Sequence, residues 1–126
     1  FRVIPMKTVL VVDDTKSDRL LAQGLLKSLG TNTVICSNAE EALDWLRNNA
    51  APDLIMLDVV MPDVSGYDLC RQIRGDLALE DVPIVFCSTK NEEYDRFWAL
   101  RQGGNAYLIK PYSPNELMKT VKAYIS

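Results

Sequence analysis

The chain has 126 residues, 48% of them hydrophobic and 25% charged, and its formal net charge is -3. This length and composition predict one domain with a single core, and the acidic balance without any Lys/Arg-rich run disfavours nucleic acid or an anionic membrane surface as a partner. No apolar stretch approaches the roughly 20 residues that span a bilayer, so we predict a cytoplasmic protein with no membrane insertion.

The chain begins with Phe1, and its first methionine is Met6. We interpret residues 1–5 as an extension that is either non-native or disordered, and residues 6–126 as the domain. No internal repeat or low-complexity linker divides those residues.

Strand-like and helix-like segments alternate five times along the chain. Apolar runs predict strands at residues 8–12, 32–36, 54–57, 84–87 and 106–109. Because helix-like segments separate all of these runs, we predict a parallel sheet with right-handed crossovers.

Local signals place the five helices between and after the strands. Helix one is predicted over residues 17–29, with Leu21, Leu25 and Leu29 on one face and Gly30 as the C-terminal cap. Two pairs have the spacing of reciprocal N-terminal caps and are expected to start helices two and five: Asn38 with Glu41, and Ser113 with Glu116. Helices three and four are predicted from Ser65 to near Gly75 and from Asn91 to near Gly103.

Helix four carries Tyr94, Phe97, Trp98 and Arg101 at helical spacing. Such a stripe is more often core packing than a binding surface, although both interpretations stay open. We expect Phe97 and Leu100 to be buried and Trp98 to be exposed.

The three cysteines, Cys36, Cys70 and Cys87, are odd in number, lack CxxC spacing and lie within apolar segments. We therefore predict reduced thiols in the core, not disulfides or metal ligands. The chain has no histidine, which disfavours common zinc sites and histidine-based catalysis.

Polar residues follow four of the predicted strands directly. They are Asp13-Asp14 after the first strand, Asp58 after the third, Ser88-Thr89 after the fourth and Lys110 after the fifth. Because parallel strands end at the same edge of a sheet, and open α/β proteins place their sites at that edge, these side chains are predicted to converge.

Taken alone, Asp13 and Asp14 are as well explained as solvated loop acids or a helix cap. A third acid, Asp58, makes a cation site the better explanation, because three carboxylates in one crevice repel one another and need a cation. Hard oxygen ligands with open positions suit Mg²⁺.

Lys110 and Ser88 also have plain alternatives, as a surface lysine and a strand terminus. Because Lys110 follows a buried strand and precedes Pro111, we interpret it as a fixed positive charge facing the acids, and we predict a cis bond between these two residues. Beside it, Ser88 becomes a hydrogen-bond donor for an anionic group held on Asp58.

These segments together resemble a response-regulator receiver domain of the single-domain chemotaxis type. The resemblance covers essentially the whole chain and rests on residues 11–14 (VVDD), 58–66 (DVVMPDVSG), 83–88 (PIVFCS) and 107–111 (YLIKP). Residues 88–98 and 101–103 are similar to small regulators of type IV pilus and phototaxis systems. The resemblance implies a flavodoxin-like (βα)5 three-layer sandwich with strand order 2-1-3-4-5 and no output domain.

The resemblance also implies a role for each residue of the site. Asp58 would accept a phosphoryl group from the phosphohistidine of a partner histidine kinase. Asp14, Asp58 and the Val60 carbonyl would ligate Mg²⁺, and Asp13 would act through water. Lys110 would pair with the phosphoryl group, and Ser88 would hydrogen-bond it.

The resemblance further implies a switch and a surface that it controls. Tyr107 would swing inward when Ser88 moves. A protein target would bind the face formed by helix four, strand five and helix five, which carries Trp98, Tyr112, Met118 and Lys122.

The chain departs from the commonest receiver pattern at four positions. Ser88 replaces the more frequent threonine, Thr89 stands where alanine or glycine is usual, Gly104 replaces alanine, and Val60 is apolar where a polar residue is common. None of these changes removes a catalytic group. In the geometry that the resemblance implies, Thr89 narrows the path of water to a phosphoryl group on Asp58, and Val60 cannot hydrogen-bond that water into an attacking position. We therefore expect slow self-dephosphorylation.

Three other functions compete with that of a receiver. An Mg²⁺-dependent phosphohydrolase with an aspartate nucleophile usually needs a second acid at the position of Val60 and a cap over its substrate. A dinucleotide-binding domain needs a glycine-rich turn after the first strand, which is absent. A receiver fold used only as a scaffold is disfavoured by the complete set of acid, hydroxyl and lysine. The chain is therefore predicted to be a phosphoacceptor and switch, not an enzyme.

Overall fold

The computed structural model describes residues 6–125, so the interpretation of residues 1–5 as an extension lies outside the described residues. The described chain alternates strands and helices. Their bounds are β1 Thr8–Val12, α1 Lys16–Ser28, β2 Asn32–Cys36, α2 Ala39–Asn48, β3 Leu54–Asp58, α3 Gly66–Arg74, β4 Ile84–Ser88, α4 Glu93–Arg101, β5 Ala106–Ile109 and α5 Pro114–Tyr124.

The strands form one parallel sheet in the order β2-β1-β3-β4-β5. This result confirms the predicted α/β class, the flavodoxin-like topology and the strand order. Each predicted strand is present, and β3 and β4 each extend one residue further than expected, to include Asp58 and Ser88.

Helices cover both faces of the sheet, because neighbouring residues of a strand point to opposite sides. In β1, Leu10 and Val12 pack with α2 and α3, whereas Val9 and Val11 pack with α1 and α5. The result is the predicted three-layer sandwich, with a core on each side of the sheet.

The predicted helix caps are largely confirmed. The Asn38 side chain accepts a hydrogen bond from the Glu41 backbone N–H, but the Glu41 carboxylate binds Ser37 instead of returning to Asn38. Ser113 and Glu116 form the full reciprocal cap. Ser65 caps α3, whereas α4 begins at Glu93, two residues after the predicted start at Asn91.

The predicted apolar face of helix one is correct for Leu25 and Leu29, which are partly buried against the core, and wrong for Leu21. Ala22 and Leu26 are the buried residues of α1, while Leu21 is 51% exposed. Leucines occur on several sides of this helix, so hydrophobicity alone does not select the face that meets the sheet.

The prediction that Phe97 and Leu100 are buried is wrong. Their exposed fractions are 61% and 47%, and α4 packs on the sheet through Ala99 and Asp95. Trp98 is 48% exposed, which confirms that part of the prediction. The small side chain of Ala99 brings the helix close to the sheet and leaves the large side chains outside.

Gly104 is explained by the size of its neighbour Phe86. The Phe86 ring is fully buried and meets Tyr67 edge-on, with 5.1 Å between the ring centroids. A Cβ atom at residue 104 would lie 2.5 Å from that ring, so the alanine that is usual at this position does not fit beside Phe86.

Cys36, Cys70 and Cys87 are free and buried, as predicted. Burial raises the pKa of the Cys87 thiol to about 12. Within residues 6–125, no helix has both the length and the apolar character that a membrane span requires.

Candidate functional site

The parallel register brings the predicted site residues to one edge of the sheet. Val12 pairs with Leu57, so Asp13 follows β1 beside Asp58 at the end of β3. Ser88 pairs with Ile109, which places Lys110 next to the end of β4. Asp13, Asp58 and Ser88 are almost fully buried, with exposed fractions of 5%, 7% and 1%.

Three carboxylates meet at this edge. One oxygen from each of Asp13, Asp14 and Asp58 lies within 4.8 Å of the others. Asp14 is exposed to solvent, while the other two acids form the inner part of the cluster. A hydrogen bond orients the Asp13 side chain, because its Oδ1 atom accepts from the Thr15 backbone N–H at 2.9 Å.

This donor set fits a hard divalent cation. The three acids supply oxygen ligands only, and their mutual repulsion is relieved by added positive charge. The described residues bring a single ammonium, that of Lys110, into the cluster. The ligand roles of Asp13, Asp14, Asp58 and the Val60 carbonyl stay a prediction.

Lys110 faces the acids, as its place in the sequence indicated. Its Nζ atom lies 2.7 Å from Asp13 Oδ2 and 3.5 Å from Asp58 Oδ1. It also lies 3.0 Å from Asp18 Oδ2. The Lys110-Pro111 bond is cis, as predicted.

Asp18 is a member of the site that the sequence analysis missed. It lies in the first turn of α1, whose N-terminus stands at the same edge of the sheet as the acids. An available signal was its place in the first turn of the helix that follows Asp13 and Asp14 almost directly.

Burial by itself shifts the pKa of Asp58 and the pKa of Lys110 in opposite directions. Burial raises the pKa of Asp58 to about 7, and the charge of Asp13 adds to this effect, while Lys110 opposes it. For Lys110, burial alone would lower the pKa, but the hydrogen bonds to Asp13 and Asp18 and the charge of Asp58 raise it overall. Lys110 is therefore a permanent cation, and ionisation of Asp58 is unfavourable.

Ser88 and Tyr107 are linked through Lys90. The Ser88 Oγ atom accepts a hydrogen bond from the Lys90 backbone N–H at 3.1 Å, and the Tyr107 hydroxyl donates to the Lys90 carbonyl at 2.8 Å. Tyr107 is buried, with an exposed fraction of 8%, and burial raises the pKa of its hydroxyl. The loop after β4 therefore contacts both residues of the predicted switch.

Gly66 fixes the backbone next to Asp58. Its N–H donates to the Val59 carbonyl at 2.8 Å, and a Cβ atom on residue 66 would lie 2.1 Å from the Asp58 carbonyl oxygen. Only glycine allows α3 to begin so close to the end of β3.

The site opens to solvent through a cleft above Asp58. Its walls include Asp14, Asp18, Ser88 and Lys110, with Val60 and Thr89 at the entrance. Val60 is 56% exposed and Thr89 is also exposed, so both border the approach to the acid. The cleft can admit a small anion between a carboxylate nucleophile, an ammonium and a hydroxyl.

Comparisons with known proteins agree on one family. The response regulator receiver domain model matches residues 9–122. Protein PilH of Pseudomonas aeruginosa is 30% identical over 121 residues, which cover 96% of this chain and 99% of that protein. The chemotaxis protein CheY4 of Vibrio cholerae has a similar structure, with a TM-score of 0.89, 26% identity, and coverage of 96% of this chain and 100% of that one.

Some relatives are longer than this chain. The probable transcriptional regulator ycf27 of Guillardia theta is 38% identical over 117 residues, which cover 93% of this chain but 44% of that protein. The chain spans about half the length of the curated transcriptional regulators that it matches.

Proposed function

Because the chain belongs to the response regulator receiver domain family, we propose that it is a phosphorylation-controlled switch in which Asp58 is the phosphoacceptor. Receiver domains take a phosphoryl group from histidine kinases and act on partner proteins, and this chain is similar to Protein PilH and to the chemotaxis protein CheY4 along nearly their whole length. The observation that carries the proposal is the placement of the Asp58 carboxylate in an open cleft, with Lys110 Nζ at 3.5 Å and Ser88 beside it.

The proposed reaction transfers one phosphoryl group. A carboxylate oxygen of Asp58 attacks the phosphorus of the kinase phosphohistidine, the phosphorus–nitrogen bond breaks, and the histidine leaves with the bonding electron pair. Lys110 then contacts a phosphoryl oxygen, and Ser88 donates its hydroxyl hydrogen bond to another. Such transfers depend mainly on positioning and on neutralising oxygen charge, which these two residues provide.

The proposal includes Mg²⁺ as a cofactor. Asp13, Asp14, Asp58 and the Val60 carbonyl would hold it, in agreement with the all-oxygen donor set and the crowded carboxylates. When bound, Mg²⁺ supplies positive charge for the acids and for the phosphoryl oxygens.

Phosphorylation by a small donor tests the proposal. Incubation of the chain with acetyl phosphate and Mg²⁺, followed by intact-mass measurement, should show the addition of one phosphoryl group. Asp58→Asn should abolish that addition, whereas Asp63→Asn, in the exposed loop before α3, should not. Modification that persists in Asp58→Asn would exclude Asp58 as the acceptor.

For the protein target we propose the face formed by α4, β5 and α5. The exposed side chains of α4 support this choice, since Tyr94, Phe97, Trp98 and Leu100 expose between 47% and 68% of their surface. Tyr107 lies in β5 beneath α4 and hydrogen-bonds the loop that precedes this helix. A change in that loop therefore reaches the aromatic surface directly.

The pathway is also a proposal. A role in chemotaxis is supported by the structural similarity to the chemotaxis protein CheY4 of Vibrio cholerae. Pilus motility and phototaxis rest on the sequence resemblance alone and stay predictions. The predicted absence of nucleic acid binding rests on the net charge of -3 and stays a prediction.

Thr89→Ala is expected to speed the loss of the phosphoryl group by roughly three- to tenfold, because attack by water requires an unobstructed line to the phosphorus. Thr89 and Val60 border the cleft through which that water must pass. The decay of the phosphorylated chain in Mg²⁺, followed by intact mass, measures the effect. Thr89→Ser keeps the hydroxyl while removing the methyl, and separates the two contributions. An unchanged or slower decay in Thr89→Ala would contradict the crowding argument.

A further inference from the structure

The Lys110 ammonium lies within 4 Å of three carboxylates, those of Asp13, Asp18 and Asp58. This ammonium has three hydrogen-bond donors. Asp13 and Asp18 accept from it at 2.7 Å and 3.0 Å, whereas Asp58 lies at 3.5 Å, beyond a good hydrogen bond. In the described conformation, the ammonium is therefore closer to Asp18 than to the proposed phosphoacceptor.

Asp18 differs from the other acids around Lys110. It does not belong to the three-carboxylate cluster, which consists of Asp13, Asp14 and Asp58. Its side chain is 38% exposed, whereas those of Asp13 and Asp58 expose only 8% and 9%. Solvent can hydrate Asp18 when its ion pair breaks, so this pair opens at lower cost than the pair with Asp13.

We propose that Asp18 is a positioning residue that holds the Lys110 ammonium away from Asp58 and so weakens the binding of an anionic phosphoryl donor. This inference rests on the proposed function, because it concerns the site that the donor enters. Asp18 also lines the cleft above Asp58, so its own negative charge opposes the approach of the donor.

The first test measures phosphorylation by acetyl phosphate at saturating Mg²⁺. In Asp18→Asn, the half-saturating concentration of acetyl phosphate is expected to fall by roughly three- to tenfold, because one negative charge leaves and Lys110 is released. Asp18→Glu restores the charge and should stay within about twofold of the native value. Asp63→Asn is the matched control, since it removes one negative charge from an exposed residue outside the cleft.

The second test needs no donor and follows the melting temperature Tm. Asp18→Asn is introduced both into the native chain and into Lys110→Met. If Asp18 holds the ammonium, Asp18→Asn should change Tm less favourably in the native chain than in Lys110→Met. The difference between the two changes in Tm should be at least about 2 °C. A role for Asp18 only in the first turn of α1 would give the same change in Tm in both backgrounds.

The outcomes separate the two claims. Absence of phosphorylation in the native chain would overturn the proposed function and, with it, the effect of Asp18 on the donor. Normal phosphorylation with an unchanged or higher half-saturating concentration in Asp18→Asn would overturn the inference alone. Equal Tm changes in the two backgrounds would also overturn it, whether or not the native chain is phosphorylated.

Discussion

In Mg²⁺-free buffer near pH 8, Asp58→Asn is expected to raise the Tm of the chain by roughly 5 to 10 °C. Asp58 is 7% exposed, and burial raises its pKa from 3.8 to about 7. At pH 8 the folded protein must hold a carboxylate that is more easily charged in the unfolded chain. Asparagine has a similar shape and carries no charge, and Lys110 keeps its contacts to Asp13 and Asp18.

The raised pKa of Asp58 determines how the free energy of unfolding changes with pH. Between the unfolded pKa near 3.8 and the folded pKa near 7, the native state binds more protons than the unfolded state, so the free energy of unfolding falls as the pH rises. Since one pKa unit corresponds to about 1.4 kcal/mol, the loss across this window is on the order of 4 kcal/mol. Below this window Asp58 is protonated in both states, and its burial costs no stability through charge. Above the window the full loss in the free energy of unfolding has occurred.

Thermal unfolding across this pH range, for the native chain and for Asp58→Asn, measures the effect. The native Tm should fall through the window, and the variant should lack that component of the fall. Added Mg²⁺ should raise the native Tm near pH 8, because a ligand selective for the folded state stabilises it. Asp14→Ala should remove this metal response. A native Tm that ignores both pH and Mg²⁺ would show that the acids are neither strained nor metal-binding.

Much of the fold and site could be predicted from the sequence because both depend on strand ends. Four β-forming residues at 9–12 end in two acids, and similar runs end in Asp58 and Lys110. In a parallel sheet these ends share an edge, so the strand assignments alone bring the polar residues together. The confirmed strand order adds the pairing of β1 with β3 that joins Asp13 to Asp58.

The rest depends on contacts that local patterns do not encode. The outward face of α4 could not be predicted, because the buried contact is made by the small residue Ala99 while Phe97 and Leu100 point outward. The contact of Asp18 with Lys110 joins residues 92 positions apart. It depends on side-chain conformations, and a charged residue in the first turn of a helix already has a simple explanation in the helix dipole.

Lys110→Ala is expected to remove the conformational response to phosphorylation while leaving a folded chain that still binds Mg²⁺. The ammonium is the only positive side chain within 4 Å of Asp58 among the described residues. In the variant, a phosphoryl group on Asp58 would therefore lose its contact with the residue that directly follows β5. β5 carries Tyr107, whose hydroxyl binds the Lys90 carbonyl. Phosphorylation of the variant, verified by intact mass, should therefore leave hydrogen exchange at residues 88–92 and in α4 unchanged.

The neighbouring lysine provides a matched control for this last prediction. Lys90→Ala removes an exposed ammonium near the cleft but keeps the backbone carbonyl that Tyr107 binds, so the exchange response should persist. Mg²⁺ in the buffer offsets the repulsion among Asp13, Asp18 and Asp58 that the loss of Lys110 leaves behind. If Lys110→Ala is unfolded even at saturating Mg²⁺, then the lysine is needed to hold the acids together in the folded state. A normal exchange response in a folded, phosphorylated Lys110→Ala would instead show that the signal reaches α4 through Ser88 without the lysine.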